Sequence, residues 1–470
     1  MAARVTRIWW IRRDLRLADN QALAAALRGG GVIPVFVLDP ALAAARQHRD
    51  AGRRRSFLLA GLRALDAELR ARGSRLVVRT GPPAEVLAAL VAASRAGAVV
   101  AEADVSPYAR RRDAAVGRRV ALEMVGAPGI RHPADVVKDD GTPYTVFTPF
   151  RKAWLARPLP SRRDLVAAPD RLPAVPAALA SEPIPAGEAP SAFPAGETEA
   201  RRRLDAFARG RSAPIDRYAA ERDRVDRDGT SALSPYLRFG MVSARDAAVA
   251  ALGRDGGARS GADVWLSELL WREFYLAILF HFPSVLREAF NPGLRDVPWR
   301  RAPGDLGAWQ EGRTGYPIVD AAMRQLAATG WMHNRARMIV ASFLTKDLLV
   351  DWRHGEAWFM RMLVDGDPAA NNGGWQWTAG VGTDAAPYFR IFNPVLQARK
   401  FDPDGAYVRR WVPEVARVRG SLVHEPWALA PLEQQAAGCR VGRDYPAPIV
   451  DHHAARDRAL AAYRRSQGRA

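Results

Sequence analysis

The sequence is poor in cysteine and contains no long apolar run. Cys439 is the only cysteine among 470 residues, so a disulfide within the chain and a thiolate metal cluster are both excluded. No stretch approaches the roughly 18 to 20 consecutive apolar residues that span a bilayer. Residues 4–10 follow the start without the apolar core of a signal peptide. We expect a cytoplasmic monomer with no membrane segment.

Lysine is also scarce, whereas arginine is abundant. Only four lysines occur, yet 69 Lys and Arg residues outnumber 50 Asp and Glu residues and give a formal net charge of +19. A protein this basic usually binds a polyanion, and nucleic acid is the leading candidate. An arginine-rich proteome would produce the same bias without any function, so charge alone leaves both explanations open.

The first 130 residues alternate short apolar runs with longer amphipathic stretches. Buried strands are predicted at residues 8–11, 32–38, 76–79 and 98–102. A helix is predicted at residues 57–69, between the second and third strands. This alternation is typical of an α/β fold with a doubly wound parallel sheet. No GxGxxG fingerprint follows the first strand, which argues against a Rossmann-type dinucleotide site there.

Proline interrupts this pattern between residues 131 and 198. Nine prolines lie between residues 158 and 194. Proline lacks an N–H donor and fixes φ, so this density disfavours both helix and sheet and predicts a long interdomain linker. Helical spacing returns afterwards, for example in the segment that begins at Pro317. We therefore expect an all-α domain over residues 199–470.

Tryptophan is concentrated in the second half of the chain. Eleven of the 14 tryptophans lie between residues 265 and 427. Each one alone is most simply a core residue, but neighbouring aromatic rings also carry single electrons or stack on bases. At about 100° per residue, Trp265, Glu268, Trp271 and Arg272 share one arc of a predicted helix. A surface Glu268–Arg272 pair would leave two exposed indoles unexplained, so we expect an open binding face here.

Two further segments are rich in polar residues. Residues 365–377 contain paired acids, paired amides and paired glycines, which helix packing rarely needs. Asp365 and Asp367 are not flanked by a histidine or a third carboxylate, so we predict no metal site. The two acids would equally anchor arginine side chains under a cofactor. Residues 228–234 place glycine, threonine and serine ahead of a helix. That pattern suits phosphate, although an ordinary helix N-cap explains it at least as well.

Together these segments resemble the DNA photolyase/cryptochrome family, and specifically its class I cyclobutane pyrimidine dimer photolyases. The resemblance covers nearly the whole chain. It rests on four strings in order, at residues 265–275, 314–324, 330–335 and 365–377. The family fold is an α/β antenna-binding domain, a linker and a helical FAD-binding catalytic domain. These parts would correspond to residues 1–130, 131–198 and 199–470.

The resemblance implies a site for FAD, which would act in its reduced anionic form, FADH⁻. The phosphates and ribityl chain would be held by Tyr218, Thr230, Ser231, Leu233 and Ser234. The other cofactor contacts would be Trp265, Glu268, Arg272, Asn334, Arg337, Asp365, Asp367 and Asn371. Asn371 would face flavin N5. Arg337, balanced by Asp365 and Asp367, would supply fixed charge beside the flavin.

The resemblance also implies a light-driven electron transfer to a dimer flipped out of DNA. The chain of indoles that photoreduces the flavin would be Trp299, Trp352 and Trp375. The dimer pocket would be formed by Glu268, Trp271, Asn334, Met338 and Trp377. The surrounding DNA strand would be contacted by Arg222, Arg335, Arg390 and Gln397. A dimer stacks and pairs poorly, so flipping it costs less than flipping a normal base, which gives selectivity.

Members of the family use either methenyltetrahydrofolate or 8-hydroxy-5-deazaflavin as a light-collecting antenna. The folate type resembles a pattern with a histidine and a glutamate in the pocket, and the comparable residues 49–51 and 104–108 have neither at those places. Residues 36–40 and Asp104 look more like the deazaflavin type. We therefore expect 8-hydroxy-5-deazaflavin, with the folate or an empty antenna site as alternatives.

Three other functions stay open. A cryptochrome-type blue-light photoreceptor would share the fold and FAD, but plant-type receptors tend to carry Asp at the position of Asn371, and Glu268, Trp271 and Trp377 are all retained here. A (6-4) photoproduct photolyase would carry histidines in the pocket, whereas residues 331–334 resemble the cyclobutane-specific version. A light-independent, basic nucleic-acid-binding protein would be colourless.

Overall fold

The computed structural model describes residues 5–42, 52–254 and 256–468, and the chain begins with a parallel β-sheet. The strands are β1 (Val5–Ile11), β2 (Gly30–Leu38), β3 (Val77–Thr80), β4 (Ala98–Glu102) and β5 (Leu122–Val125). They are parallel and lie in the order β3-β2-β1-β4-β5. The predicted fold class and the four predicted strands are confirmed.

Strand β5 is absent from the sequence prediction because it lies at the edge of the sheet. Its four residues are only partly buried, and Met124 is exposed. An edge strand with so little buried surface leaves no apolar run in the sequence. In the central strand β1, by contrast, Trp9 is fully buried and pairs with Pro34 and Val100 on the two neighbouring strands.

The strand order reverses between β1 and β4. The carboxyl ends of these two strands therefore border the crevice in which open α/β sheets bind their ligands. Arg12 and Arg13 follow β1 directly, and Asp104 follows β4. Gly240, with a φ of 62°, lies so close to the loop after β1 that a Cβ atom would overlap the Arg13 carbonyl oxygen. A glycine is required at this position for both reasons.

Most of the remaining described chain is helical. The α-helices span Gln21–Leu27, Gly52–Ala71, Pro83–Ser94, Pro107–Gly117, Phe147–Leu155, Glu197–Ala208, Tyr218–Glu221, Ser234–Phe239, Ala244–Leu252, Gly261–His281, Pro303–Glu311, Pro317–Thr329, Asn334–Ser342, Trp352–Met362, Pro368–Ala379, Pro394–Phe401, Ala406–Trp411, Pro431–Ala437 and His452–Gln467. A π-helical turn, Phe343–Asp347, directly follows the Asn334–Ser342 helix. In the described part from residue 199 onward, the β pairing consists of a single bridge between Val441 and Tyr445, so the predicted helical character is confirmed.

The proline-rich segment has little regular structure. Between residues 156 and 196 the described backbone contains only the short 3₁₀ turn Arg162–Asp164, as the proline density predicts. The Phe147–Leu155 helix lies inside the range expected for the linker and was not predicted from the sequence. Among the described residues, no helix is both long enough and apolar enough to cross a bilayer.

The chain divides into two compact units, each built from several chain segments. The first contains residues up to Ala219, with Thr230–Pro283 and Val364–Ala369. The second contains Ala220–Gly229, Ser284–Leu363 and the chain from Ala370 onward. The core of the first unit packs around the sheet. The core of the second unit is rich in aromatic rings, including Trp309, Phe343, Trp352, Trp375 and Tyr463.

Candidate active site

The Gly261–His281 helix carries four predicted site residues in the first unit. Trp265 is only 3% exposed, because Phe207 packs against it with ring centroids 5.2 Å apart. Trp271 is half-buried and stacks on Phe147, with centroids 3.8 Å apart and an interplanar angle of 9°. The expectation of two exposed indoles on an open face was therefore wrong. Aromatic residues distant in sequence cover them, and helical periodicity alone could not reveal those partners.

Phe207 also joins two predicted cofactor contacts. Its ring meets Tyr218 edge-on at 5.8 Å, in addition to its contact with Trp265. Tyr218 is buried by this packing. The sequence prediction missed Phe207 because nothing local distinguishes it from an ordinary helix core residue. Within the first unit, the structure thus brings Tyr218 and Trp265 to one aromatic cluster.

Arg272, on the same helix, has an incompletely bonded guanidinium. Nη2 donates to the Leu237 carbonyl at 3.3 Å, and Nη1 lies 3.8 Å from Oε1 of Glu273. Nη1 is buried and makes no hydrogen bond with the described residues. Burial lowers the pKa of Arg272, while the negative charge of Asp367 opposes this effect. A buried donor of this kind is costly to leave unpaired, so the site suits an anionic ligand.

The loop at residues 230–234 is not an ordinary helix cap. The helix that follows is Ser234–Phe239, its N-cap position is Leu233, and no side chain caps it there. The hydroxyls of Thr230 and Ser231 are therefore not used as the N-cap. Ala232 has a φ of 47°, in the left-handed region that a non-glycine residue rarely adopts. Strained loop backbone of this kind is often found at ligand sites, which favours the phosphate interpretation.

Asp367 belongs to an ion-pair network rather than to a metal site. Its carboxylate lies 2.5 Å from Nη2 of Arg13 and 3.7 Å from Nε of Arg238. Its other oxygen accepts from the Ala369 backbone N–H at 2.9 Å. Although burial opposes it, Asp367 and Asp104 hold the pKa of Arg13 above its usual value. This is the arginine-anchoring role that the sequence prediction left open for the paired acids.

In the second unit, the Asn334–Ser342 helix presents a group of predicted residues. Nδ2 of Asn334 lies 4.0 Å from Sδ of Met338 one turn later, and Asn334 is exposed. Nε of Arg337 donates to the Met332 carbonyl at 2.8 Å. The two predicted lesion contacts, Asn334 and Met338, therefore lie side by side. Both are uncharged, and neither is an acid.

Two predicted DNA contacts share one carboxylate. Nη2 of Arg335 lies 2.8 Å from Asp223, and Nε of Arg222 lies 3.9 Å from the same oxygen. The Arg335 guanidinium also lies 4.4 Å from the centre of the Phe401 ring. Asp223 thus gathers two cations at one place, and Phe401 fixes the plane of one of them.

His333 was missed as a site residue. Its Nδ1 accepts from the Arg335 backbone N–H at 3.1 Å and so caps the helix. Burial lowers the pKa of His333 to about 4, with Arg335 and Arg337 adding to the effect and Asp223 opposing it. The ring is therefore neutral with its proton on Nε2, and Nε2 has no hydrogen-bond acceptor among the described residues. The only sequence signal was its position in the string at residues 330–335.

The Pro368–Ala379 helix carries Asn371, Trp375 and Trp377. Nδ2 of Asn371 donates to the Glu356 carbonyl at 3.0 Å, which orients the amide. Trp375 is 2% exposed and rests against Gly355, where a Cβ atom would overlap its ring. Trp377 is half-buried. The absence of a side chain at residue 355 is therefore what allows Trp375 to pack on the Trp352–Met362 helix.

The three predicted electron carriers belong to one core. Trp352 and Trp375 are both buried in the second unit's aromatic core, and Trp299 packs against its outside. Trp299 is partly exposed and meets Tyr463 edge-on, with centroids 5.9 Å apart. Trp375 also contacts Phe359 at 5.0 Å and Trp309 at 6.1 Å. The three indoles therefore share one aromatic core, and they range from partly exposed to fully buried.

The last two predicted DNA contacts lie near exposed apolar side chains. Arg390 is exposed, and its neighbour Phe389 is 63% exposed. Gln397 has a buried Oε1 that accepts no hydrogen bond from the described residues, and Leu396 beside it is 59% exposed. Phe389 and Leu396 were not predicted, because sequence alone does not reveal an apolar side chain turned to solvent.

The predicted antenna residues meet at the carboxyl ends of β1, β2 and β4. The Tyr108 hydroxyl donates to Asp39, which follows β2. The Arg112 guanidinium lies 5.7 Å from the Tyr108 ring and 4.8 Å from the Trp10 ring. Although burial opposes it, Arg13 and Arg112 hold the pKa of Asp104 below its usual range. Residues 49–51, on which the antenna comparison also rested, lie outside the described residues.

Arg238 adds a cation to the same region. Its Nε donates to the Gly366 carbonyl at 2.8 Å, while its buried Nη1 has no hydrogen-bond partner among the described residues. Burial lowers the pKa of Arg238 to about 9, and the nearby Arg13 contributes.

A separate polar cavity of about 310 Å³ lies beside the ends of β1, β4 and β5. It contains Arg16 and Glu102 but neither Asp104 nor residues 36–40.

The chain combines a parallel sheet with a mostly helical second half, and Arg272 Nη1 is a buried donor without a hydrogen bond among the described residues. Two family models agree with it: "DNA photolyase" matches residues 7–174, and "FAD binding domain of DNA photolyase" matches residues 265–465. The deoxyribodipyrimidine photo-lyase of Escherichia coli (strain K12) is 42% identical over 480 residues, covering 97% of this chain and 98% of the relative. The chain belongs to the DNA photolyase family.

Solved structures support the same assignment. A bacterial class III photolyase from Agrobacterium tumefaciens matches with a TM-score of 0.91 at 37% identity, covering 99% of this chain and 98% of that chain. A cryptochrome from Synechocystis matches with a TM-score of 0.86 at 31% identity, covering 97% and 99%. The predicted family, the enzyme class and the FAD-binding domain are confirmed. The unpaired Nη1 of Arg272 fits an anionic cofactor such as FAD.

Proposed function

We propose that this enzyme repairs cyclobutane pyrimidine dimers in DNA by light-driven electron transfer. The observation that carries this choice of lesion is the contact between Asn334 and Met338. A (6-4) photoproduct photolyase would carry histidines in the pocket, and an amide and a thioether lie at these two positions instead. A neutral amide beside an apolar thioether suits two pyrimidine rings whose bonds must only be opened by an added electron. The curated relatives named deoxyribodipyrimidine photo-lyase support the same substrate.

The cofactor would be held mainly by polar residues already described. Arg272 would bind its phosphates through the unpaired Nη1, and Thr230 and Ser231 would add hydroxyl donors. Asn371 would present its oriented amide to the flavin. Bound in its reduced anionic form and excited by light, FAD would supply the electron that opens the cyclobutane ring.

The lesion would be bound by residues that recognise its shape and stabilise its developing charge. Trp271 stacks on Phe147 and contacts Phe274 and Tyr275, and its remaining exposed surface would meet an extruded pyrimidine ring. Trp377 would add a second apolar wall. Glu268 would donate a hydrogen bond to a pyrimidine carbonyl as negative charge develops there, which requires its carboxyl group to hold a proton. Asn334 would hold the same ring from its exposed position at the start of its helix.

The DNA strand would be bound by a cationic surface with apolar points of contact. Arg222, Arg335 and Arg390 would neutralise phosphates, and Gln397 would use its unpaired Oε1. Phe389 is exposed on the same segment as Arg390 and is suited to fill the gap that a flipped dimer leaves in the duplex. Affinity for undamaged and damaged DNA should then fall steeply as salt is raised.

Trp299, Trp352 and Trp375 would form the route that reduces the cofactor when it is oxidised. Their membership of one aromatic core supports this role, because an apolar core rich in aromatic rings can carry single electrons. Trp299→Phe should block photoreduction while leaving repair by previously reduced enzyme intact. If repair by reduced enzyme were lost as well, the proposed separation of the electron chain from the lesion pocket would be wrong.

We further propose that the antenna is 8-hydroxy-5-deazaflavin, bound where β1, β2 and β4 end. Its acidic ring hydroxyl would be matched by Arg238, whose Nη1 lacks a partner, and its ring edge by Asp104. Methenyltetrahydrofolate is the alternative. The absorption spectrum of the purified protein separates the two, since each antenna and the flavin absorb at different wavelengths.

The organisation of the chain is part of the same proposal. Residues 1–130 would bind the antenna, residues 131–198 would link the domains, and residues 199–470 would carry catalysis. We also propose that the enzyme acts as a monomer. A native mass near 51.5 kDa would support this, whereas twice that mass would contradict it.

The deciding experiment uses two oligonucleotides, one with a cyclobutane dimer and one with a (6-4) photoproduct. The reduced enzyme is mixed with each in the dark and under blue light, and intact pyrimidines are measured by chromatography. We expect light-dependent repair of the cyclobutane dimer alone. Repair of only the (6-4) lesion would overturn the choice of substrate. No repair of either would leave a photoreceptor like the Synechocystis cryptochrome as the better hypothesis.

A further inference from the structure

Lys346 is a charged residue inside the aromatic core of the second unit. It is 1% exposed and lies in the π-helical turn Phe343–Asp347, a rare geometry that often marks functional sites. Its Nζ donates to the carbonyl oxygens of Ala379 at 2.9 Å and Tyr388 at 3.1 Å. Nζ also lies 4.1 Å from the centre of the Tyr463 ring. The ammonium is therefore surrounded by carbonyl dipoles and an aromatic face.

No carboxylate among the described residues forms an ion pair with Lys346. The neighbouring Asp347 is bonded to Nδ1 of His452 at 2.6 Å, and Arg458 donates to the Asp347 carbonyl at 2.5 Å. The charge of Asp351 acts on Tyr463 rather than on the lysine. Burial, unopposed, lowers the pKa of Lys346 to about 7. The side chain is thus a proton-binding group whose charge is not fixed by a partner.

The lysine anchors the end of a functional helix. Ala379 is the last residue of the Pro368–Ala379 helix, which carries Trp375. The Tyr463 hydroxyl donates to the same Ala379 carbonyl at 2.6 Å. A cation at the carboxyl end of a helix is favourable because it opposes the helix dipole. Two side chains therefore hold this helix end, and one of them changes its charge with pH.

The same ammonium lies close to the outer end of the proposed electron chain. Tyr463 contacts Trp299 edge-on at 5.9 Å and stacks on Tyr388 at 5.6 Å. A positive charge in an apolar core disfavours removal of an electron from a nearby ring. A neutral amine keeps two N–H donors for its two carbonyl acceptors. Titration of Lys346 therefore changes the local charge while its hydrogen bonds can persist.

We propose that Lys346 is a positioning residue for photoreduction: its hydrogen bonds fix the helix that carries Trp375, and its charge controls how readily Trp299 gives up an electron. The inference rests on the proposed electron chain. In the light, one electron would pass inward from Trp299 and reduce the oxidised flavin, which leaves a hole on the indole; an added thiol would fill that hole by giving up one electron. The charged lysine opposes the first step, and the neutral lysine permits it.

The proton-binding site is tested directly by NMR of lysine side chains. The chain has four lysines, of which Lys138, Lys152 and Lys400 are exposed, so ¹³C-labelled lysine gives a simple spectrum. We expect one signal to titrate near pH 7 and to disappear in Lys346→Met. If no lysine signal titrated near pH 7, the proposal would be refuted.

The effect on electron transfer is tested by the pH dependence of photoreduction, measured with a thiol in the light between pH 6 and pH 8.5. The wild-type rate should rise about tenfold with pH, as expected for loss of one charge near the electron donor, since Nζ lies 4.1 Å from the Tyr463 ring and that ring lies 5.9 Å from Trp299. Lys346→Met should lose the rise with pH, whatever its absolute rate, and Lys346→Arg, which stays charged, should be slow at every pH. An unchanged pH profile in Lys346→Met would overturn the proposal.

The two proposals fail in different ways. If Trp299→Phe photoreduces normally, the electron chain is wrong, whatever Lys346 does. If Trp299→Phe is blocked but Lys346→Met keeps the wild-type pH profile, only the role of the lysine is wrong. Should Lys346→Met fail to fold, the wild-type titration and the Lys346→Arg rates still decide, because a flat wild-type pH profile would contradict the inference.

Discussion

Replacing Arg272 by methionine should separate cofactor binding from folding. The guanidinium is poorly satisfied without a ligand, since Nη1 has no hydrogen-bond partner among the described residues and Nη2 makes a long bond of 3.3 Å to Leu237. Burial lowers the pKa of Arg272, which means that the charged form is disfavoured there. Removal of the charge should therefore cost the cofactor-free protein less than the about 3–5 kcal/mol lost when a complete buried ion pair is broken.

Cofactor affinity should change much more. A hydrogen bond between charged groups contributes about 1.5 to 3 kcal/mol, so loss of Nη1 should weaken FAD binding by about 10- to 150-fold. The assay is a fluorescence titration of cofactor-free protein with FAD, together with thermal unfolding of the same sample. Arg202→Met is the matched control, because Arg202 is a surface arginine paired with Glu199. That control should change neither quantity measurably.

Two results would refute this reasoning. If Arg272→Met bound FAD within twofold of the wild-type affinity, the unpaired Nη1 would not face the cofactor. If the cofactor-free variant lost several kcal/mol of stability instead, Arg272 would be a structural residue whose partners are already complete. A loss of affinity in the Arg202→Met control would show that net charge alone governs FAD binding.

Four further outcomes are expected. Glu268→Ala should lower the repair yield more than the affinity for dimer-containing DNA, measured by steady-state illumination and fluorescence anisotropy; equal losses would contradict its role at the developing charge. Trp271→Ala should weaken lesion binding by about 1–3 kcal/mol, with undamaged DNA as the comparison, and an unchanged lesion affinity would show that no base stacks there. Phe389→Ser should reduce affinity for dimer-containing duplex but not for single-stranded DNA, and equal loss on both would argue against filling of a gap. Because the pKa of Lys346 falls from 10.5 to about 7 on folding, the unfolded chain binds an extra proton in that interval, so stability should rise with pH there by several kcal/mol relative to Lys346→Met. The free energy of unfolding would be measured with denaturant at several pH values, and the same pH dependence in both proteins would contradict this.

The sequence predicts those parts of the molecule that repeat with a short period. Strands β1 to β4 are visible because each contains a run of consecutive buried residues, which leaves a continuous apolar run in the sequence. The Pro317–Thr329 helix is visible because its buried residues recur at helical spacing. Strand β5 lacks both signals. The family and its FAD-binding domain could be predicted because four long sequence strings resemble those of the family. Such a comparison of sequences requires no knowledge of the three-dimensional structure.

The partners of the site residues could not be predicted in the same way. Arg13 and Asp367 form an ion pair although 353 positions separate them in the sequence. Phe147, which stacks on Trp271, precedes the proline-rich segment in the sequence, whereas Trp271 follows it. This contact likewise has no local signal in the sequence. Such contacts depend on how elements pack, and helical periodicity reports only which side of an element is apolar. For this reason the prediction of an open helix face was wrong. The residues on that face were nevertheless assigned to the site by their resemblance to the family.

Two buried arginines of the first unit, Arg12 and Arg16, form ion pairs with carboxylates, whereas Lys346 forms none among the described residues. This difference bears on why residue 346 is a lysine. In the first unit, Arg12 lies 2.7 Å from Asp113 and Arg16 lies 3.1 Å from Glu102, so each cation is offset by a carboxylate. Lys346 has only carbonyl oxygens and an aromatic face among the described residues. An unpaired buried ammonium is costly, and methionine would fill similar space without that cost. Packing therefore does not explain the lysine, whereas a charge that responds to protons beside an electron donor does.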